Sequence, residues 1–143
     1  MSDRKSFRIA FNDIPLAEFD IGGVLYHANY FRLFERAREA FLKELAQPYP
    51  ELVKQKQHFG IVESSQKFIL PIRYGDSVEL EISTREVKKS TLVFEYQILK
   101  SGSKDLIHEA WTKAAFISVE NEGFKPIAIP KDLRSKLSSY QNN

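Results

Sequence analysis

Phe7, Ile9 and Phe11 alternate with Arg8, Ala10 and Asn12, the period of two that turns one face of a strand toward a core. Past the pair Gly22-Gly23 the period lengthens. Tyr30, Leu33, Phe34, Ala37, Phe41, Leu42 and Leu45 recur at helical spacing, while Arg32, Glu35, Arg36, Arg38 and Glu39 fall mostly on other faces, which predicts one long helix. It must stop near Gln47, because Pro48 and Pro50 would each remove a hydrogen bond and clash with the preceding turn. A shorter helix is expected over 52–57. From Gly60 the strand period returns, with Val62, Ser64, Gln66, Phe68 and Leu70 on one face of a segment that Pro71 ends. After the turn Tyr74-Gly75-Asp76, the alternation of Val78, Leu80 and Ile82 and then of Leu92, Phe94, Tyr96 and Ile98 flanks a basic turn, Lys88-Lys89. These two segments read as a hairpin. A long strand over 106–119, closed by Asn121-Glu122-Gly123, and an amphipathic tail marked by Leu133, Leu137 and Tyr140 complete the chain.

Strand, long helix, then about four strands joined by tight turns is the order of an α+β domain, an antiparallel sheet packed on one helix. The sheet's other face must meet water, a ligand or a partner subunit. At 143 residues, 43% hydrophobic, the chain can build one core, so a single domain over 1–143 is expected. Lys and Arg number 21 against 19 Asp and Glu and are scattered, a weak case for nucleic-acid binding. With no cysteine there are no disulfides, no thiolate catalysis and no thiolate metal site. The chemistry must use oxygen or nitrogen groups. The opening residues lack the apolar run of a secretory signal and no stretch could span a bilayer, so a cytoplasmic protein is expected.

The densest polar cluster, Glu18 to Tyr30, precedes the long helix. It holds the carboxylate of Asp20, the flexible Gly22-Gly23, the imidazole of His27 and the positive end of a helix. Glycine allows close approach of backbone to another group, and free amides at a helix start can bind an oxygen that develops negative charge. These are parts of an acyl-transfer site. A plainer role is open to the same residues: Asp20 stabilising a turn, Asn29 capping the helix, His27 filling a structural place. No nucleophile elbow, zinc-binding histidine pair or phosphate-binding glycine loop is present. His27, His58 and His108 lie far apart, so no metal is expected. Lys88-Lys89-Ser90 can grip phosphates or simply keep a hairpin turn solvated, and Glu63, Ser64 and Ser65, in a strand that otherwise reads as buried, can line a pocket. Trp111 reads as core.

The stretch Asp20-Ile21-Gly22-Gly23-Val24-Leu25-Tyr26-His27-Ala28-Asn29-Tyr30 and the following Phe34-Glu35-Arg36-Ala37-Arg38 resemble the signature of the 4-hydroxybenzoyl-CoA thioesterase family of hot-dog proteins. The resemblance extends through Arg73-Tyr74-Gly75-Asp76, the Lys88-Lys89-Ser90 turn and Pro130. It implies a hot-dog fold: one long helix wrapped by a roughly five-stranded antiparallel sheet, with a short C-terminal helix. It also implies a homodimer or homotetramer whose sites form between subunits. Asp20 falls on the family's catalytic aspartate, nucleophile or general base, and His27 on the residue whose amide polarises the carbonyl. Gly23 and Tyr26 would shape the substrate site, with Val62, Glu63, Ser64 and Ser65 from the partner subunit, while Lys88 and Lys89 would hold CoA phosphates. Glu18-Phe19 stands where members often carry an aspartate and a threonine, a departure that bears on substrate preference.

The implied reaction is hydrolysis of an acyl- or aroyl-CoA to the free acid and CoA, with no cofactor. The alternatives are an acyl-carrier-protein thioesterase, which would need a docking surface for an acidic protein, and a non-catalytic acyl-CoA-binding module.

Overall fold

A computed structural model describes residues 5–120 and 125–142. Strand β1 (Phe7–Phe11) leads through an irregular stretch to helix α1 (Tyr30–Glu44) and the short α2 (Tyr49–Lys54). Strands β2 (Gln57–Phe68), β3 (Val78–Arg85), β4 (Thr91–Lys100) and β5 (Leu106–Ser118) follow, then the two-residue β6 (Lys125–Pro126) and helix α3 (Lys131–Ser138). The long strands pair antiparallel in the order β1-β3-β4-β5-β2, and β6 pairs with the end of β5. The expected α+β arrangement of one long helix against an antiparallel sheet is therefore present.

The period-two residues do what their spacing requires. Leu80, Ile82, Phe94, Ile98, Ala114 and Phe116, with Phe34, Ala37 and Phe41 from α1, are fully buried. The Phe34 ring stacks on Tyr96 at 4.4 Å, and Phe94 takes Phe41 and Phe59 edge-on. Truncating one such aromatic to Ala typically costs about 3–5 kcal/mol, so this contact between helix and sheet organises the molecule. One polar thread crosses it: Arg38 Nη1 donates to the Tyr96 hydroxyl at 2.9 Å, which bonds Thr112 Oγ1 at 2.7 Å. Helix α3 closes the far side of β3, burying Leu133 and Leu137, with Thr84 Oγ1 donating to the Leu137 carbonyl at 2.7 Å.

Four expectations are revised. Helix α2 starts earlier than expected, because Pro48 is its N-cap and Pro50 sits in its first turn, where a missing N–H costs nothing. The β2 segment begins at Gln57, and a bulge between Ile61 and Glu63 breaks its alternation. It is an edge strand, so Glu63, Ser64 and Ser65 are exposed, not buried. Trp111 is half-buried under the Arg85 guanidinium, 5.7 Å from its ring centre, rather than in the core. The expected turn Asn121-Glu122-Gly123 lies outside the described residues. Among the described residues, no helix is long and apolar enough to cross a membrane.

Candidate active site

Asp20 opens a small hairpin. Its N–H donates to the Val24 carbonyl at 2.9 Å, the Gly23 N–H returns to the Asp20 carbonyl at 2.9 Å, and Phe19 bridges Leu25 below. The carboxylate turns back on this loop: Oδ1 accepts from Gly22 N–H at 2.8 Å and more weakly from Val24 N–H at 3.4 Å. The two glycines serve the turn differently, Gly22 by leaving room for the carboxylate and Gly23 by its backbone conformation. A Cβ on Gly22 would meet Asp20 Oδ1 at 3.2 Å, and Gly23 has φ +80°, which side chains other than glycine rarely adopt. Oδ2 takes no hydrogen bond among the described residues.

The hairpin is fixed on two sides. Leu25 N–H donates to the Ile72 carbonyl at 2.7 Å, Val24 bridges Arg73, and Phe19 meets Tyr74 edge-on at 5.5 Å. The Arg73-to-Asp76 turn is itself closed by Arg73 N–H to Asp76 Oδ2 at 2.8 Å. On the other side the Glu18 carbonyl accepts from Tyr26 N–H and from Asn29 Nδ2, at 3.2 and 2.8 Å. Asn29 is the residue before α1, so its side chain ties the helix start to the approach to Asp20 instead of capping the helix. A short 3-10 turn, His27–Asn29, runs straight into α1, and the His27 amide makes no hydrogen bond among the described residues.

Asp20 and His27 line one cleft of about 280 Å³, with Tyr30 beneath and Phe68, Leu70 and Pro71 as the opposite wall. That wall runs from the last residue of β2 into the segment after it and was missed in the sequence, where Phe68 and Leu70 read as one strand face that Pro71 ends. Under it lies His108, fully buried, stacked on Tyr30 at 4.1 Å and edge-on to Phe68 at 4.7 Å. Its Nε2 pairs with Gln66 Oε1 at 2.9 Å and Nδ1 has no partner. Burial pushes its pKa down to about 4. Burial also raises the Tyr30 hydroxyl, partly offset by the Ile72 backbone.

The other predicted site residues divide. Gly23 lies in the Asp20 hairpin, and the exposed Tyr26 packs on His27 with ring centres 4.3 Å apart. Val62, Glu63, Ser64 and Ser65 form an exposed run on the free edge of the sheet. Lys88 and Lys89 are exposed in the β3–β4 turn, beside Thr91, which pairs with Ala115. Phe68 pairs with His108 at the other end of β5, seven residues from Ala115 and about 23 Å away at 3.3 Å per residue. One chain therefore does not bring the lysines to Asp20. Among the described residues no cluster of three His, Asp or Glu could hold a metal.

A long helix is wrapped by an antiparallel sheet, and Asp20 and His27 line one cleft at the helix start. A family model for the thioesterase superfamily matches residues 22–107. The chain belongs to that superfamily. It is 29% identical over 117 residues to the acyl-CoA thioesterase YbgC of Haemophilus influenzae, covering 81% of this chain and 83% of that protein. The solved gentisyl-coenzyme A thioesterase BH1999 superposes with a TM-score of 0.80 at 26% identity, over 92% of this chain and 99% of that one. A 4-hydroxybenzoyl-CoA thioesterase, 18% identical over 93% of this chain and 99% of its own, shares the fold with a TM-score of 0.84.

Proposed function

We propose that the protein hydrolyses an acyl-CoA thioester to the free acid and CoA, with Asp20 as the reacting carboxylate and the His27 amide as donor to the thioester oxygen. The observation that carries this reading is the division of labour within Asp20. One carboxylate oxygen is held by the turn, which fixes the rotamer, and the other has no hydrogen bond among the described residues, while His27, whose amide is likewise unpaired among them, lines the same cleft. A hydrogen-bond donor aimed at a developing oxyanion is typically worth about 3 kcal/mol in acyl-transfer enzymes. Two routes use the same geometry. Asp20 can attack the acyl carbon, expelling CoA thiolate and leaving an anhydride that water cleaves. Alternatively it takes a proton from water as the water oxygen bonds to carbon and the C–S bond breaks. The compartment that goes with this reading is the cytoplasm.

The free edge of β2 calls for a second copy. Ile61, Val62, Phe68 and Leu70 expose 42%, 62%, 52% and 54% of their surface, and an open edge with apolar residues pairs readily. Antiparallel pairing of β2 with itself, centred near its bulge, sets the Phe68 end of one chain beside the Gly60 end of the other. The Lys88-Lys89 turn is at that Gly60 end, so the partner brings the lysines toward Asp20 for CoA phosphates, and its Val62–Ser65 run toward the acyl group. A homodimer is the minimum active unit, and a tetramer of two such dimers is compatible with it.

The test is Asp20→Asn. The Asn side-chain oxygen still accepts from Gly22 N–H, so the hairpin and the melting temperature should be kept. Turnover, read by thiol release, should fall by roughly 10²–10⁴-fold. Near-normal kcat would remove Asp20 from the chemistry. Faster hydrolysis of a carrier-protein thioester than of the matched acyl-CoA would move the substrate to the carrier-protein class, and binding without turnover would make the protein an acyl-CoA-binding module.

A further inference from the structure

A second cavity, of about 340 Å³, opens where α1 crosses β2, and the Arg38 guanidinium lines it together with Tyr49 and His58. Arg38 is only 8% exposed, an unusual position for a permanent charge. No carboxylate of the described residues lies within ion-pair distance of it. Nη1 is used by the Tyr96 hydroxyl, Tyr49 lies close enough to contribute a further contact, and Nε is buried without any partner. A charge removed from water normally has a counter-charge, and an orphaned donor normally has an acceptor.

The cavity and the Asp20 cleft are lined from the same helix. Arg38 stands eight residues along α1 from Tyr30, which floors the Asp20 cleft, or about 12 Å at 1.5 Å per residue. We propose that Arg38 binds a carboxylate, the far end of an acyl group that carries a second acid function. This rests on the thioesterase reading above. A guanidinium edge takes a carboxylate by two parallel hydrogen bonds. Tyr49 and His58 add polar groups that can donate to the same oxygen atoms. Glu35 and Glu39 also line the cavity, but both are exposed. Solvent screens their repulsion, whereas the guanidinium acts from a desolvated position.

The test pairs CoA thioesters of equal chain length that differ in one terminus, suberoyl against octanoyl and adipoyl against hexanoyl. Wild type should prefer one dicarboxylic substrate by about tenfold or more in kcat/KM. In Arg38→Met that ratio should fall to near one, and in Arg38→Lys, which keeps charge without the fork, to an intermediate value. The melting temperature of Arg38→Met should hold or rise, because an unpaired buried charge is replaced by an apolar chain. Preference for the methyl-ended substrate in wild type, or an Arg38→Met protein that loses melting temperature and loses both substrates equally, would overturn the proposal. Free suberate and octanoate keep the two readings separate. If no CoA ester is hydrolysed, the function fails but the cavity is still decided: suberate should raise the melting temperature of wild type and not that of Arg38→Met, and equal effects on the two proteins would refute the site.

Discussion

His108 makes the stability of this protein depend on pH between 6.5 and about 4. The imidazole is fully buried between Tyr30 and Phe68, with one hydrogen bond, to Gln66 Oε1, and an unpaired Nδ1. Nothing there favours the cation, so burial lowers its pKa from 6.5 to about 4. Above 6.5 the group is neutral folded and unfolded, and its proton has no effect. Below 6.5 the unfolded chain takes up a proton that the folded chain refuses, so stability is lost as pH falls, and the loss levels off only below the folded pKa. At 1.36 kcal/mol per pH unit, the span from 6.5 to about 4 is worth about 3 kcal/mol. The perturbation is His108→Gln, which keeps a polar side chain and removes the titration. Urea unfolding of both proteins at steps from about pH 7.5 to about pH 4.5 gives the difference in free energy at each step, and carboxylates common to both cancel in it. That difference should move steadily against wild type below about pH 6.5. A difference that stays flat with pH, or a ring titration near 6.5 by NMR, would refute the reasoning.

Two further outcomes follow from the proposed dimer. Lys88→Ala with Lys89→Ala should raise KM for a CoA substrate several-fold at low salt, more than it alters kcat, and the effect should fade as ionic strength rises; unchanged KM at low salt removes the lysines from the phosphate site. Val62→Lys puts a charge on the exposed β2 edge and should shift sedimentation toward monomer with loss of kcat, whereas an active dimer would mean that the subunits meet elsewhere.

How much the sequence discloses depends on whether a feature is local. The long helix and the β3–β4 hairpin are written in spacing alone, because Leu33, Phe34, Ala37 and Phe41 must share a face and Val78, Leu80 and Ile82 must alternate. The Asp20 loop is legible too, since its hydrogen bonds join residues at most a few positions apart. What is lost depends on distant pairing. Periodicity does not reveal that β2 lies at the edge of the sheet, so Glu63, Ser64 and Ser65 read as buried although they are exposed. Phe68 to Pro71 read as the end of a strand because only the fold brings them opposite Asp20. Arg38 passed as a residue of the helix's polar side, and nothing in its spacing tells that the sheet closes over it. The Arg73-to-Asp76 turn, a bare motif in the sequence, acquires a physical reason in the fold: it receives the Asp20 hairpin through Val24 and Leu25.

That support bears on why a turn residue can also be a reactive one. An exposed aspartate on a mobile loop would visit several rotamers and meet an acyl carbon in few of them. Here Oδ1 is held by the Gly22 amide, the hairpin is pinned to Ile72, Arg73 and Tyr74, and the helix start is tied to the same strand of chain through Asn29 and Glu18. The Asp20 loop and the helix start that carries His27 are thus held by the same backbone contacts, and among the described residues no ion pair engages the Asp20 carboxylate. Using one oxygen for the turn is compatible with using the other for chemistry, because a carboxylate offers about four acceptor sites and the Gly22 and Val24 amides occupy only one oxygen. The observed structural role of Asp20 and the catalytic role proposed for it are therefore not rivals: the first would order the loop before substrate arrives, removing that entropy cost from the proposed reaction.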